Sequence, residues 1–406
     1  MAGVPKSVLL IGGAGPVSSS RDIVADALAQ AHARGLRTYV ITSAGLLASA
    51  PAVTAAASAT AVVDPDDPAA CVRWARERTA AGEGFDVVLG LRDAVLPSVA
   101  AVSEALGTPG NSPAAVRRSQ RKDECRQVLA AAGLPQPAVR LCASLADAVA
   151  FAGEVAGPWV VKPRGGQGSE GVHLARDEAS LRAAVAASPP EFLVEEFVSG
   201  QEYSAEGVFL RGVPHVLALT AKETAGFVEV AHTLPAELPA PVAGEVSGQV
   251  RRAAAALGLS HGVFHVEFWV TAHGVVLGEV HPRPGGDWIH RLLGHAVPEA
   301  EMFGLVYDDQ LTGGATPPPA PSRAATSRYF TPPPGRLREV EGWEEVVAHP
   351  KVLHAELTVR PGEVIPPVHA SGDRCGLLVI GGDTVEQARE RADDLMAAVR
   401  FEVEAS

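Results

Sequence analysis

Short apolar runs alternate with amphipathic stretches through the first part of the chain. Ser7-Val8-Leu9-Leu10-Ile11 reads as a buried strand, and Gly12-Gly13-Ala14-Gly15-Pro16 as the turn that ends it. Residues 21–34 place their apolar side chains at helical spacing, and residues 38–42 and 87–90 are again short and apolar. Strands alternating with helices predict a parallel sheet covered on both faces, so an α/β domain is expected over residues 1–115. The glycine turn lacks the G-x-G-x-x-G spacing of a dinucleotide loop and reads as a tight strand-to-helix connection.

Beyond it the pattern becomes mixed. Residues 113–132 predict one or two helices, closed by Gly133 and Pro135. Residues 159–163 predict a strand, 164–171 a glycine loop and 172–174 a second strand, with further strands at 193–197 and 202–210. A helix follows over 246–257, and a hairpin over 263–270 and 275–281. Residues 316–335 carry two proline clusters and read as a linker or an extended crossing segment. Strands near 352–360 and 376–380 and a helix over 384–399 complete a small α+β unit.

Composition narrows the function classes. The chain of 406 residues is long enough for two or three domains, and its 47% apolar and 20% charged content is that of a folded globular protein. A net charge of −13 argues against non-specific nucleic-acid binding, since no basic surplus exists to displace phosphate counterions. No apolar run is long enough for a membrane span, and the first residues lack the stretch and cleavage site of a signal peptide. Cys71, Cys125, Cys142 and Cys375 are scattered and read as reduced thiols, so a cytoplasmic location is expected.

The hairpin carries the first candidate chemistry. A three-residue turn Ala272-His273-Gly274, with Gly274 left-handed, pairs Glu267 with Glu279 and His265 with His281. Alternation then puts His265, Glu267, Trp269, Leu277, Glu279, His281 and Arg283 on one face. Phe264, Val266, Phe268, Val276, Gly278 and Val280 form an apolar face behind them. Two opposed carboxylates need a cation between them or a raised pKa, and a hard divalent ion fits. The plainer alternative is an exposed sheet face, and a two-residue turn would offset the pairing.

The glycine loop carries the second. Lys162 ends a strand ahead of Gly165, Gly166, Gly168 and Ser169, so a point charge and free backbone N–H groups meet where an anion would sit. A G-K-[ST] sequence is lacking, so this is not a Walker loop, and a floppy hairpin loop is the alternative. Leu193-Val194-Glu195-Glu196-Phe197-Val198-Ser199-Gly200-Gln201-Glu202 breaks an apolar strand at Ser199-Gly200. Such a break frees backbone groups for a flat heterocycle and leaves Glu202 for sugar hydroxyls; taken alone it is an ordinary strand–turn–strand.

In order and spacing these pieces resemble the ATP-grasp superfamily over nearly the whole chain. The segment Gly278-Glu279-Val280-His281-Pro282-Arg283-Pro284-Gly285-Gly286-Asp287 is similar to that family's E-x-N-x-R stretch. The resemblance implies an N-terminal parallel-sheet domain at 1–115, a central ATP-grasp domain at 116–312 with a lid subdomain near 157–199, and a proline-rich linker and C-terminal α+β unit at 313–406. It implies that Lys122 and Lys162 contact ATP phosphates beneath Gly165, Gly166, Gly168 and Ser169. Adenine would meet the backbone of Glu196 and Val198 with Glu195 nearby, and Glu202 would hold the ribose. Glu267 and Glu279 would ligate Mg2+, with Mn2+ as a substitute, and Arg283 would balance charge on the transferred phosphoryl group. Two positions depart from the family pattern. His281 stands where Asn is usual, open to a role as a softer nitrogen ligand or to contact with substrate, and Arg121 precedes the helix lysine where Asp is frequent.

Within the superfamily the chain is most similar to carboxylate–amine ligases of the L-amino acid ligase, bacilysin synthetase type. The similarity rests on Phe227-Val228-Glu229-Val230-Ala231-His232 followed by Pro235-Ala236, on His265 two residues before Glu267, and on the Arg-Pro-Gly-Gly turn. The run Gly376-Leu377-Leu378-Val379-Ile380-Gly381-Gly382 is similar to that group and to biotin-carboxylase-like enzymes. This implies that ATP activates a carboxylate as an acyl-phosphate and an amine then displaces phosphate, giving a dipeptide or amide, as in antibiotic biosynthesis. Arg283, Gly285 and Gly286 would grip the carboxylate substrate. His232 and His265 would line the amine pocket or relay a proton, or else satisfy local hydrogen bonds. A homodimer is expected, since relatives are often dimers. The competing expectations are a bicarbonate- or formate-activating enzyme on the same fold and a non-catalytic ATP-binding protein.

Overall fold

The computed structural model describes residues 5–13, 15, 17–166 and 168–404; Ala14 and Pro16 of the expected glycine turn, Gln167 of the glycine loop and both chain ends lie outside the described residues. The first sheet is parallel, in the order Ala59–Val62, Arg37–Thr42, Ser7–Ile11, Val87–Leu89. Its central strand is apolar at both parities because both faces are covered. Val8 and Leu10 pack with Ile23, Val24 and Leu28 of the helix Ser18–Ala33. Leu9 and Ile11 pack with Cys71 and Ala75 of Pro68–Ala80. The chain leaves Val87–Leu89 through Arg92 and Asp93 at the carboxyl end of this sheet.

The predicted lysine segment is two helices, Pro113–Gln120 and Lys122–Ala131. Arg121 is extended between them, so Lys122 falls in the first turn of the second. A small antiparallel sheet follows, ordered Val139–Cys142, Phe192–Glu196, Trp159–Pro163, His173–Ala175. The glycine loop joins its last two strands.

An eight-stranded sheet forms the body. Its order is Gly274–His281, Val263–Thr271, Gln201–Leu210, Val213–Ala225, Val228–Leu234, Ala324–Tyr329, Gly376–Gly382, Val352–Leu357. Residues 316–335 are therefore not merely a linker: they contain a strand, Ala324–Tyr329, paired on both sides. Its Ala-Ala-Thr-Ser sequence is small rather than greasy, yet Ala324, Ala325, Thr326 and Ser327 are buried, and Thr326 donates to the His232 carbonyl. The helix Ala240–Leu257 covers one face of the hairpin end. A three-stranded sheet of Val364–Ile365, Gly335–Glu341 and Arg400–Glu404 lies beside the far end. Among the described residues no helix is long and apolar enough to cross a membrane.

The hairpin register differs from the expected one. Thr271 pairs with Gly274, so the loop is Ala272-His273, with Gly274 at φ +113°. A bulge then restores the expected pairing at the other end: Phe268 pairs with Leu277 but Val266 with Val280, leaving Gly278 and Glu279 opposite Glu267. Between turn and bulge the second strand is therefore flipped. Leu277 is in the core with Val275, Phe264, Val266 and Phe268, and Val276 is on the polar face with Gly278. A bulge leaves carbonyls without ladder partners, and here Arg126 supplies them: its Nη1 donates to the Leu277 and Gly278 carbonyls at 2.8 and 3.0 Å.

Candidate active site

Three lysines from three segments are paired with carboxylates around the hairpin, two of them with Glu267 and Glu279. Lys122 Nζ lies 3.2 Å from Glu279 Oε2 and donates to the Gly166 carbonyl at 3.1 Å. Lys162, at the end of Trp159–Pro163, lies 2.8 Å from Glu195 Oε2. Lys222, in Val213–Ala225, donates to Glu229, Glu267 and Glu202 at 2.6, 2.8 and 3.0 Å. Its side chain is 1% exposed, and an ammonium at that depth persists only because it is paired. Burial lowers its pKa, but the three carboxylates outweigh burial and hold it well above the ordinary lysine value.

Glu267 and Glu279 face each other across the bulge. Burial pushes both pKa values up, but Lys222 on Glu267 and Lys122 on Glu279 outweigh it and keep both ionised. His281 Nε2 is 3.3 Å from Glu279 Oε2, and its Nδ1 is 3.1 Å from Asp93 Oδ1. One ligand atom each from Glu267, Glu279 and His281 lie within 4.8 Å of one another. Ligands bound at ~2.1 Å to one octahedral ion stand roughly 3–4 Å apart, so these side chains suit a single divalent cation that keeps room for water or phosphate.

Arg283 follows on the same strand exit. Its Nε donates to Asp93 Oδ2 at 2.7 Å and its Nη1 to the Pro284 carbonyl at 2.9 Å. Burial acts to raise the Asp93 pKa, but Arg283 and His281 pull it far below the usual carboxylate range. A cavity of about 490 Å³ opens over these groups. Lys122, Lys162, Gly165, Gly166, Gly168 and Ser169 line one side; Glu195, Glu196, Val198 and Glu202 line the hinge; and Glu267, Glu279, His281 and Arg283 line the floor. That size suits a small-molecule ligand.

The hinge is more constrained than its sequence shows. The Glu196 and Phe197 amides already donate to the Ala138 and Pro158 carbonyls. Glu195 is 4% exposed and braces Lys162 together with Arg126, whose Nε is 3.2 Å from Glu195 Oε1. Burial raises the Glu195 pKa, but the two cations outweigh it and hold it at about 2.

Of the residues expected around the substrate, Arg283 lines the cavity, whereas His232, His265, Gly285 and Gly286 do not. His265 Nδ1 is 3.0 Å from Glu206 and its Nε2 is 3.5 Å from Glu267 Oε1. Burial lowers its pKa, but Glu206 and Glu267 outweigh that and raise it to about 9. His232 Nε2 is 3.8 Å from both Glu229 and Asp287. Neither ring belongs to the cavity lining, nor do Gly285 and Gly286. A Cβ at Gly285 would lie 2.9 Å from His265 Nδ1, so that glycine is fixed by packing against the histidine.

Four further groups escaped sequence reasoning. Arg126 stands one helical turn after Lys122, a spacing that could have flagged it. Asp93 carries no local signal, because Arg283 is 190 residues away; Lys222 has Glu229 seven residues on across the next turn, a spacing that could have flagged it, while Glu267 is 45 residues away. Arg374 also was not foreseen: it donates to Asp287 at 2.8 and 3.1 Å and to the Glu229 carbonyl at 2.9 Å, and stacks 3.6 Å over Tyr329.

Lysines, a glycine loop and opposed carboxylates line one cleft, and similarity to known proteins shows the family in which this cleft occurs. Residues 155–291 match the ATP-grasp domain model and residues 28–110 the ATP-grasp N-terminal domain model. The chain belongs to the ATP-grasp family. Residues 328–404 match the L-amino acid ligase C-terminal domain 2. The chain is 31% identical over 318 residues to the uncharacterized protein y4rH of Sinorhizobium fredii, covering 72% of this chain and 63% of that one. It is 30% identical to carnosine synthase 1 of Gallus gallus over 59% of this chain, but spans just 28% of that protein. It is 32% identical to D-alanine--D-alanine ligase of Desulforudis audaxviator, over 46% of this chain and 67% of that one. In fold it matches the L-amino acid ligase from Bacillus licheniformis with a TM-score of 0.79 at 22% identity, over 98% of this chain and 99% of that one.

Proposed function

We propose that this chain is an ATP-dependent carboxylate–amine ligase of the L-amino acid ligase type, making a dipeptide or related amide in natural-product biosynthesis. The observation that carries the reading is the convergence of Lys122, Lys162, Glu267, Glu279 and Arg283 on one cavity next to a C-terminal segment of the L-amino acid ligase kind. The names of the relatives point the same way: L-amino acid ligase, carnosine synthase and D-alanine--D-alanine ligase all denote joining of a carboxylate to an amine.

In this reading Lys122 and Lys162 bind the ATP phosphates under the glycine loop, with adenine along Glu196 and Val198 and the ribose at Glu202. Glu267, Glu279 and His281 hold a divalent cation, Mg2+ or Mn2+, which when bound neutralises phosphate charge. Arg283 is oriented by Asp93 toward the reacting end of the cavity. There it stabilises charge on the phosphoryl group and then on the acyl-phosphate formed from the substrate carboxylate. The amine attacks the acyl carbon, its surplus proton leaves to a neighbouring base, and phosphate departs. Glu229, held against Lys222 at the cavity wall, faces the place where that ammonium would bind. Exclusion of water matters because an acyl-phosphate otherwise hydrolyses.

The test is a screen of amino-acid pairs with ATP, reading phosphate release and product mass. Phosphate release that depends on both amino acids, with a product lighter than their sum by one water, is expected. Strict dependence on bicarbonate or formate would replace this reading with a carboxylase- or purine-type activity.

A further inference from the structure

His281 occupies a position where an amide side chain is usual in the ATP-grasp segment, and its surroundings indicate what the imidazole does. The ring is wedged between two carboxylates with a different nitrogen toward each. Nδ1 meets Asp93 Oδ1 at 3.1 Å, and Nε2 meets Glu279 Oε2 at 3.3 Å. Asp93 comes from the N-terminal domain and is itself fixed by Arg283 at 2.7 Å, while its carbonyl accepts from Gln120. Each of these carboxylates accepts only, so Asp93 holds an N–H at Nδ1, and Nε2, which lies against Glu279, becomes a lone-pair donor once a cation entering the Glu267–Glu279 opening displaces its proton. A carboxylate behind the distal nitrogen fixes the tautomer and orientation of an imidazole and raises its basicity as a metal ligand.

We propose that the cation site of this chain is a mixed nitrogen–oxygen site, with Glu267 and Glu279 as oxygen ligands, His281 Nε2 as a direct ligand and Asp93 as the residue that positions it, and that it favours Mn2+ over Mg2+. The inference rests on the ATP-grasp reading of the cavity. A nitrogen donor discriminates between these ions because Mg2+ keeps oxygen ligands and water and dehydrates reluctantly, whereas Mn2+, a first-row transition ion, tolerates an imidazole in an otherwise oxygen-rich site. His265 is the competing imidazole, with Nε2 at 3.5 Å from Glu267 Oε1, but its other nitrogen is held by buried Glu206 and the ring does not line the cavity.

Pulsed electron paramagnetic resonance of the full chain loaded with Mn2+ and ADP tests this. A directly bound imidazole nitrogen should modulate the manganese signal, change to the 15N pattern in protein labelled with 15N-histidine, and vanish in His281→Asn. Titration with each ion in the presence of ADP should show the Mn2+ to Mg2+ affinity ratio falling about tenfold in His281→Asn, and Mn2+ affinity falling about tenfold in Asp93→Ala. Mn2+ and ADP bound to the wild type without a histidine-dependent nitrogen signal would overturn the proposal while leaving the ATP-grasp function standing. The labelled wild type decides this without any variant. A nitrogen signal that survives His281→Asn would assign the ligand to another histidine and overturn it equally. Failure of Mn2+ and ADP to bind at all would overturn the functional reading as well.

Discussion

Asp93 Oδ2 accepts a hydrogen bond from Arg283 Nε at 2.7 Å, and this contact joins the carboxyl end of the N-terminal sheet to the exit of the carboxylate hairpin. The two residues lie 190 positions apart in sequence. Their pairing sets where the guanidinium points, so the N-terminal domain helps to build the floor of the cavity.

Replacing Asp93 with Ala releases Arg283 and removes the support of His281. A misplacement of about 1 Å can cost about 10²-fold in rate. Phosphate release should therefore fall by roughly that factor in kcat, with the KM for ATP changed much less, since Lys122 and Lys162 are untouched. Steady-state kinetics with varied ATP would show this; an unchanged kcat would mean that Arg283 is positioned by something else.

Glu279→Gln removes a charge from the cation site and leaves Lys122 without its carboxylate. ATP turnover should drop by about 10²-fold or more, as for loss of a preorganised electrostatic group. If turnover is unchanged over a Mg2+ and Mn2+ titration, the cation site lies elsewhere.

The bulge can be tested by stability alone. Leu277 is fully buried in the core beside Phe268, whereas Val276 is on the polar face. Leu277→Ala should cost about 2–5 kcal/mol and Val276→Ala about 1 kcal/mol or less, read by urea denaturation. Without the bulge the order would be reversed.

Glu195 should contribute to stability in a pH-dependent way. Its folded pKa is about 2 against an ordinary value of 4.5, held down by Arg126 and Lys162 against the effect of burial. A depressed carboxylate stabilises the fold fully above its unfolded pKa, and that contribution is lost as pH falls through the folded one. Glu195→Gln, which strands the buried Arg126 charge, should cost about 3–5 kcal/mol near neutrality. The gap between variant and wild type should narrow between pH 4.5 and about 2 in denaturation curves, and a gap independent of pH would contradict the pairing.

The order of elements was legible in the sequence because it is written in local periodicity. The buried strand Ser7–Ile11, the lysine helix Lys122–Ala131 and the two hairpin strands follow from apolar spacing and turn residues that act over a few positions. The chemistry types were legible too: Lys162 before glycines, and two glutamates at matching positions of one hairpin. Tertiary structure decided what each group meets. The bulge that flips Val276 and Leu277 is braced by Arg126, which reaches two carbonyls about 150 residues away. The strand Ala324–Tyr329 opens with four small residues and pairs only because Val228–Leu234 and Gly376–Gly382 flank it. Lys222 stays a buried cation because Glu202, Glu229 and Glu267 converge on it from three strands. A sequence specifies donors, acceptors and local geometry, but the burial that makes a charge seek one partner rather than water exists only once distant segments have closed around it.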